Sequence, residues 1–192
     1  QQNHTSILAG LTMSFVGTGF MLPLCVVGGV FMAEVERPDG FPVFTVIQLL
    51  SALATVLFTA LPNFIWMAAA FRPDRAPAEI ALLHDLGWIM WATPSWGFAF
   101  QLLCVGIVGL RDKRPRPFLP RWMSYLALWL AMDMAPTPLV PFFTQPGPFA
   151  WNGLYTFWIA FFGPVAWIGV LFFMVVHNVR RGPEATGAPQ HA

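Results

Sequence analysis

The chain has 192 residues, of which 57% are hydrophobic and only 10% are charged, and its mean hydropathy is +0.63. An ordinary soluble domain carries about 25% charged residues, so the composition excludes a soluble enzyme and a disordered chain. The net charge of +1 provides no overall field for a polyanion, which excludes nucleic acid as a partner. We therefore expect an integral membrane protein whose main partner is the lipid bilayer.

Charged residues are confined to short stretches, and the uncharged stretches between them predict membrane spans. A helical span needs about 20 apolar residues. We predict an all-α, polytopic fold in which residues 1–181 form a single transmembrane domain, a five-helix bundle, and residues 182–192 form a disordered tail. The predicted spans cover about residues 7–33, 44–71, 82–110, 121–143 and 149–179.

The basic residues are distributed unevenly about these spans. Eight of the ten lie on one side, in the first loop (between the first two spans), the third loop (residues 111–121) and the tail. Only Arg72 and Arg75 lie on the other side. The positive-inside rule then predicts a multi-pass protein of the cell membrane with its N-terminus outside and its C-terminus in the cytoplasm. The alternative is a four-span chain in which the stretch Pro136–Pro141 forms a re-entrant turn and both termini share one side.

Each predicted span contains a proline away from its ends. Proline removes a backbone hydrogen bond and bends a helix, so we expect proline-kinked helices around a cavity in the outer half of the bundle. The alternative is that proline is simply commoner in membrane helices than in soluble ones. The five prolines are Pro23, Pro62, Pro94, Pro136 and Pro164.

Asp133 is the candidate catalytic residue with the most unusual position. It follows Arg121 by 12 residues, or about 18 Å at helical rise, which places it near the bilayer midplane. Apart from Arg121, which is too distant at that separation, no lysine or arginine lies in a predicted span to pair with it. An ionised carboxylate at that depth is costly, which favours a general acid, a proton carrier or a ligand anchor. The structural alternative is a polar clamp between helices.

Further candidates lie towards the outer side of the predicted bundle. His84 and Asp85 begin the third span and form an acid–base pair, although an aspartate there also suits the helix dipole. A ligand pocket at the same depth would use polar and aromatic side chains, because aromatic walls suit flat apolar molecules. We predict ligand binding by Asn63, Trp88, Trp91, Asn152 and Tyr155. The alternatives for Asn152 and Tyr155 are a turn and an interfacial aromatic belt.

The sequence indicates no metal site, and it leaves any cofactor unknown. Cys25 and Cys104 lack the spacing of a disulfide framework or a metal site. Small residues such as Gly106 and Gly109 permit close helix approach within or between protomers, as in a homo-oligomer or a membrane complex.

We therefore predict a membrane protein that binds a hydrophobic small molecule of sterol, terpenoid or quinone type. If it is an enzyme, isomerisation or cyclisation with Asp133, His84 and Asp85 as acid–base groups fits the residues. The alternatives are a non-catalytic accessory subunit of a larger membrane complex and a small transporter; the lack of an internal repeat counts against the transporter.

Overall fold

The computed structural model describes residues 3–72, 74–143, 145, 147–150 and 152–181, and within them it is all-helical, without β-strands. Six α-helices follow one another along the chain, with two short 3₁₀ segments and one π-helical segment. The α-helices are α1 (His4–Glu36), α2 (Val43–Phe71), α3 (Pro77–Ala92), α4 (Trp96–Arg111), α5 (Arg121–Asp133) and α6 (Ala160–Arg181). The 3₁₀ segments are Arg37–Asp39 and Thr137–Phe142, and the π-helical segment is Leu154–Ile159.

Three helical stretches of the described chain are long and apolar enough to cross a membrane: His4–Asp39, Val43–Phe71 and Pro77–Arg111. The all-α class and the first three predicted spans are confirmed to that extent. The third stretch is not one continuous helix bent at Pro94, as the sequence predicts for residues 82–110, but two helices, α3 and α4, joined by a turn at residues 93–95. Pro94 lies in this turn and has no N–H group to continue the hydrogen-bond ladder of α3.

The predicted span 121–143 is also divided. α5 ends at Asp133, and the chain continues through a turn into the 3₁₀ segment Thr137–Phe142. α5 has 13 residues, about 20 Å of helix, which is shorter than the roughly 30 Å of hydrocarbon in a bilayer. In the predicted span 149–179, the π-helical segment leads into α6, which extends to Arg181. By contrast, α1 and α2 continue without interruption through Pro23 and Pro62.

Helix α2 is central to the packing, because it contacts α1, α3 and α4, and α4 in turn packs on α5. The core between them is apolar and includes Met32, Leu102, Val108, Met123, Leu130 and Trp167. Gly106 and Gly109 permit the close approach of α4 and α5. A Cβ atom on Gly106 would lie 2.7 Å from Leu128 Cγ, and one on Gly109 would overlap Ser124 Oγ.

Polar contacts tie together one end of the bundle. The buried carboxylate of Glu36 accepts hydrogen bonds from the backbone N–H groups of Phe44 and Thr45, at 2.9 and 2.8 Å, in the first turn of α2. These are N–H groups that a helix cannot satisfy by itself. Beyond α4, Arg114 bonds both Asp112, at 2.8 Å, and Glu34 of α1, at 3.3 Å. These contacts therefore hold the first loop, after α1, close to the third loop, after α4.

Candidate functional site

Two interruptions of the helices, the α3–α4 turn and the turn after α5, meet in the middle of the bundle beside a cavity. The hydroxyl of Ser95, at the α3–α4 break, contacts the hydroxyl of Thr137, which follows the end of α5. Ser95 Oγ also lies 3.4 Å from the carbonyl oxygen of Met134. The partly open cavity beside this contact has a volume of about 180 Å³ and is lined by residues of α1 to α4, α6 and the segments around Met134 and Thr156.

Apolar and aromatic side chains form most of the cavity wall. They include Met21, Phe58, Trp91, Phe98, Phe161 and Val165. Besides the indole N–H of Trp91, five hydroxyl groups supply the side-chain polarity: Thr55, Thr59, Ser95, Thr137 and Thr156. Among the residues described around the cavity, no side chain is acidic, basic or a histidine. The lining is therefore suited to hold an uncharged, largely apolar molecule.

The hydroxyls of the lining are already engaged with the main chain. Thr55 and Thr59 on α2 donate to the carbonyls of Ser51 and Thr55, one turn earlier, at 2.9 and 2.8 Å. Thr156 donates to the carbonyl of Phe149 at 3.0 Å, and Thr137 to that of Met134 at 2.8 Å. Since each hydroxyl has one proton and two lone pairs, these bonds leave lone pairs rather than protons for a ligand.

A row of aromatic rings extends from this cavity along α3 towards the N-terminal part of that helix. Trp91 and Phe161, both in the cavity wall, have ring centroids 5.9 Å apart. Trp88, one turn before Trp91 on α3, lies 5.7 Å from Trp91 and 5.3 Å from Trp66 of α2. Gly87 makes room for this row, because a Cβ atom there would overlap the Trp66 indole.

A second, wider groove lies between the N-terminal part of α1, the C-terminal end of α2 and the N-terminal part of α3. It has a volume of about 790 Å³, and its lining includes His4, Trp66, Arg72, His84 and Trp88. Trp88 Nε1 donates to His84 Nε2 at 3.0 Å. His84 Nδ1 lies 3.9 Å from Asp85 Oδ1, and both side chains are exposed. The structure thus brings together His84 and Trp88 at this groove, whereas Asp85 contacts His84 but does not line the groove.

The other predicted residues occupy separate positions. Asp133 is half-buried at the end of α5, where Oδ2 has no hydrogen-bond partner among the described residues; the next residue, Met134, lines the cavity. Asn63 is buried beneath the cavity-lining Thr59, to whose carbonyl its Nδ2 donates at 3.0 Å. Asn152 and Tyr155 are exposed. Of the predicted site residues, Trp91 is the one that lines the central cavity.

Sequence reasoning missed the hydroxyl residues because it searched for side chains that ionise. Threonine and serine are common in membrane helices as packing groups, so none of the five is conspicuous alone. A usable signal was present in two dipeptides, Pro94-Ser95 and Pro136-Thr137, where a hydroxyl residue follows a proline expected to bend its span. Both hydroxyls lie at the breaks and contact each other.

Comparisons of the chain with protein-family profiles, with curated proteins and with solved structures each find no match. Among the described residues, no group of three or more histidine, cysteine, aspartate or glutamate side chains could hold a metal ion. Cys25 and Cys104 are free thiols buried in the bundle.

Proposed function

We propose that this protein is a multi-pass membrane protein that binds a hydrophobic small molecule in an intramembrane cavity between its broken helices. The observation that carries the proposal is the cavity at Ser95 and Thr137, with its apolar and aromatic wall. Irregular backbone at membrane depth is tolerated where protein buries it or where it lines a cavity. Two breaks facing one cavity are consistent with a binding site at that depth.

The size of the cavity limits the part of a ligand that it can enclose. At about 180 Å³ it is slightly larger than an engineered protein cavity of about 150 Å³ that binds benzene. Pockets for drug-sized molecules span roughly 300–1,000 Å³. The cavity therefore suits one ring or a short isoprenoid unit, and the remainder of a sterol, terpenoid or quinone would extend outside it.

The least covered part of the wall is on α6. Phe161 and Val165 line the cavity, yet they are 37% and 50% exposed. In a bilayer this side of the bundle would face lipid acyl chains. A hydrophobic molecule dissolved in the membrane would then reach the cavity laterally, past α6, without crossing the aqueous phase.

The lining favours binding over acid–base chemistry at this position. Isomerisation or cyclisation needs a group that transfers a proton, and the described lining offers hydroxyls without an adjacent base. Asp133, His84 and Asp85 remain candidates for chemistry on a part of the ligand outside the central cavity. For this reason we propose ligand binding without catalysis at this cavity ahead of an isomerase or cyclase.

We further propose five membrane segments, two of them broken, with the basic end in the cytoplasm. The end that holds Glu34, Arg111 and Arg114 gathers most of the basic residues of the chain. Under the positive-inside rule that end is cytoplasmic and the N-terminus is outside. The groove at His84 and Arg72 then opens towards the outer surface.

The proposal is tested by filling the cavity. Ala92 is buried and lines it, whereas Ala52 is fully buried elsewhere in the bundle. We expect wild-type protein in lipid nanodiscs to bind 4-fluorotoluene saturably, measured by ¹⁹F NMR against empty nanodiscs. Ala92→Leu should weaken that binding at least tenfold while changing the free energy of unfolding by less than about 1 kcal/mol, because the new side chain occupies existing space.

The matched control is Ala52→Leu, where no space is present. It should destabilise the protein by about 1–3 kcal/mol through overpacking, and the folded fraction should still bind 4-fluorotoluene. No saturable binding to wild-type protein, or equal binding to the Ala92→Leu variant, would contradict the proposed function.

A second candidate function, an accessory subunit of a larger assembly, has one supporting observation. Gly10 and Gly17 lie on an exposed face of α1, with no atom within 4 Å of an added Cβ. Such a face could pack closely against a helix of a second copy or of another membrane protein. Cross-linking of a Gly17→Cys variant in native membranes tests it: a discrete cross-linked species is expected for a subunit, and none for a monomer.

A further inference from the structure

We infer that the molecule held in the central cavity is an alcohol or a phenol, whose hydroxyl group donates a hydrogen bond to the Ser95–Thr137 pair. The inference rests on the proposed ligand-binding function and adds the chemical class of the ligand. It follows from the hydrogen-bond acceptor that each hydroxyl of the lining already has within the protein.

Three of the five hydroxyls have a carbonyl acceptor of their own. Thr55 and Thr59 each bond a carbonyl one helical turn earlier, at 2.9 and 2.8 Å, and Thr156 bonds that of Phe149 at 3.0 Å. A ligand that needed a donor from one of them would have to break an existing bond. Since a hydroxyl has only one proton, these side chains can meet a ligand without loss only as acceptors.

The remaining two hydroxyls, those of Ser95 and Thr137, form the pair at the two helix interruptions. Thr137 donates to the Met134 carbonyl at 2.8 Å. Ser95 Oγ contacts Thr137 Oγ1 and lies 3.4 Å from the same carbonyl, so its proton also has an acceptor inside the protein. Both oxygens keep at least one lone pair. The pair is thus an acceptor in a largely apolar cavity, and an O–H group of a ligand is its complement.

A ketone, an aldehyde or a quinone would meet the opposite situation. Its carbonyl needs a donor, and the hydroxyls around the cavity have none to spare. A polar group left unpaired in an apolar site is costly, which is how a binding site discriminates between molecules of nearly equal shape. The remaining donors near the cavity are the indole N–H of Trp91, a residue of the wall, and the backbone N–H groups in the first turn of α4, after Ser95. A preference for carbonyl compounds would indicate those groups instead.

The experiment compares three probes of similar size, each with one fluorine for ¹⁹F NMR: 4-fluorophenol, 4-fluorotoluene and 4-fluorobenzaldehyde. The full chain is held in lipid nanodiscs, and affinities are expressed relative to partitioning into empty nanodiscs. Hydrogen bonds within membrane proteins contribute about 0.6–2 kcal/mol. We therefore expect the phenol to bind about 3- to 30-fold more tightly than the toluene, and the benzaldehyde to bind no better than the toluene.

Variants then test whether the pair is the acceptor. Ser95→Ala combined with Thr137→Val removes both oxygens and nearly keeps the shape of the side chains. The phenol should lose its advantage over the toluene, while binding of 4-fluorotoluene itself, which reports a folded cavity, should persist. Thr12→Val is the matched control, because the Thr12 hydroxyl also bonds a carbonyl one turn earlier, at 2.8 Å, but is exposed on α1. It should leave all three affinities unchanged.

The outcomes separate the inference from the proposed function. Equal binding of phenol and toluene, or stronger binding of benzaldehyde, overturns the alcohol inference while the binding function stands. Failure of all three probes to bind wild-type protein saturably overturns both. If the double variant does not fold, the ranking of the three probes on wild-type protein still decides the inference.

Discussion

At the scale of single residues, Gly109 and Ser124 face each other where α4 packs on α5. Ser124 is fully buried, and an added Cβ on Gly109 would overlap its Oγ. The added Cβ would be fixed to the backbone of α4, and Ser124 Oγ is one bond from the Cβ of a fully buried residue of α5, so neither atom can move far. We expect Gly109→Ala to destabilise the protein by about 1–3 kcal/mol, as overpacked cores do, measured by thermal or denaturant unfolding in detergent.

Removing the Ser124 hydroxyl should rescue that variant. In Gly109→Ala with Ser124→Ala, the new Cβ would meet the Ser124 Cβ at 3.3 Å, a tight but tolerable distance. At least half of the lost stability should return. Gly19→Ala is the control, since nothing lies within 4 Å of a Cβ added there. Additive effects of the two substitutions, with no rescue, would show that the glycine is not required for this contact.

Asp112 offers a prediction about pH, because its side chain is buried at the loop after α4. Burial opposes its ionisation, but hydrogen bonds from Arg114 and from the backbone N–H groups of Phe118 and Arg114, together with the charge of Arg114, outweigh burial and lower the pKa of Asp112. The folded state thus keeps Asp112 ionised at a pH where the unfolded chain already binds a proton. The resulting stabilisation is full above the unfolded pKa, near 4, and is lost as pH falls through the lower folded pKa.

We expect Asp112→Asn to reduce the free energy of unfolding by about 1.5–3 kcal/mol at pH 7, the range for hydrogen bonds to charged groups. The difference from wild type should shrink below about pH 4, as wild-type Asp112 itself becomes protonated. Unfolding curves at a series of pH values measure this. Asp39, which is exposed, provides the control: Asp39→Asn should differ little from wild type at any pH. A difference for Asp112→Asn that is constant down to pH 3 would contradict the charge-based account.

At the scale of helices, hydropathy located the long apolar stretches well and their interruptions poorly. The span expected over 44–71 is α2, Val43–Phe71. Hydropathy reports whether a stretch tolerates lipid, and it is nearly blind to the loss of one backbone hydrogen bond. Three prolines within residues 136–141 leave too few N–H groups for an α-helix, which the sequence alone reveals. The sequences around Pro62 and Pro94 do not differ in this way, yet α2 continues through Pro62 whereas α3 ends just before Pro94.

The same limit applies to the candidate site. Position along a predicted span gives the depth of a residue, but not the side of the helix on which it lies. Adjacent residues of a helix point about 100° apart, so Asp133 and Met134 share one depth while Met134 alone lines the cavity. Trp88 and Trp91 differ by three positions and therefore share a face, as their 5.7 Å ring separation confirms.

At the scale of the whole molecule, contacts between distant segments show that the first and third loops lie at the same end. Arg114 reaches Glu34 of α1 at 3.3 Å, and the Arg111 guanidinium lies 4.7 Å from the ring centroid of Phe44 in α2. The loop between α2 and α3, which contains Asp74, lies at the other end because α2 runs the length of the bundle between them. The basic residues are therefore concentrated at one end of the fold itself.

If the positive-inside rule governs insertion, cysteines placed at the two ends should react with opposite preferences. Lys113 and Asp74 are exposed positions in the third loop and in the α2–α3 loop. We expect Asp74→Cys to be modified by a membrane-impermeant maleimide in intact cells, and Lys113→Cys only after permeabilisation. The native thiols Cys25 and Cys104 are 4% and 3% exposed, so unmodified wild-type protein serves as the background. Modification of Lys113→Cys in intact cells would reverse the proposed orientation, and modification of both would contradict insertion with these loops on opposite sides.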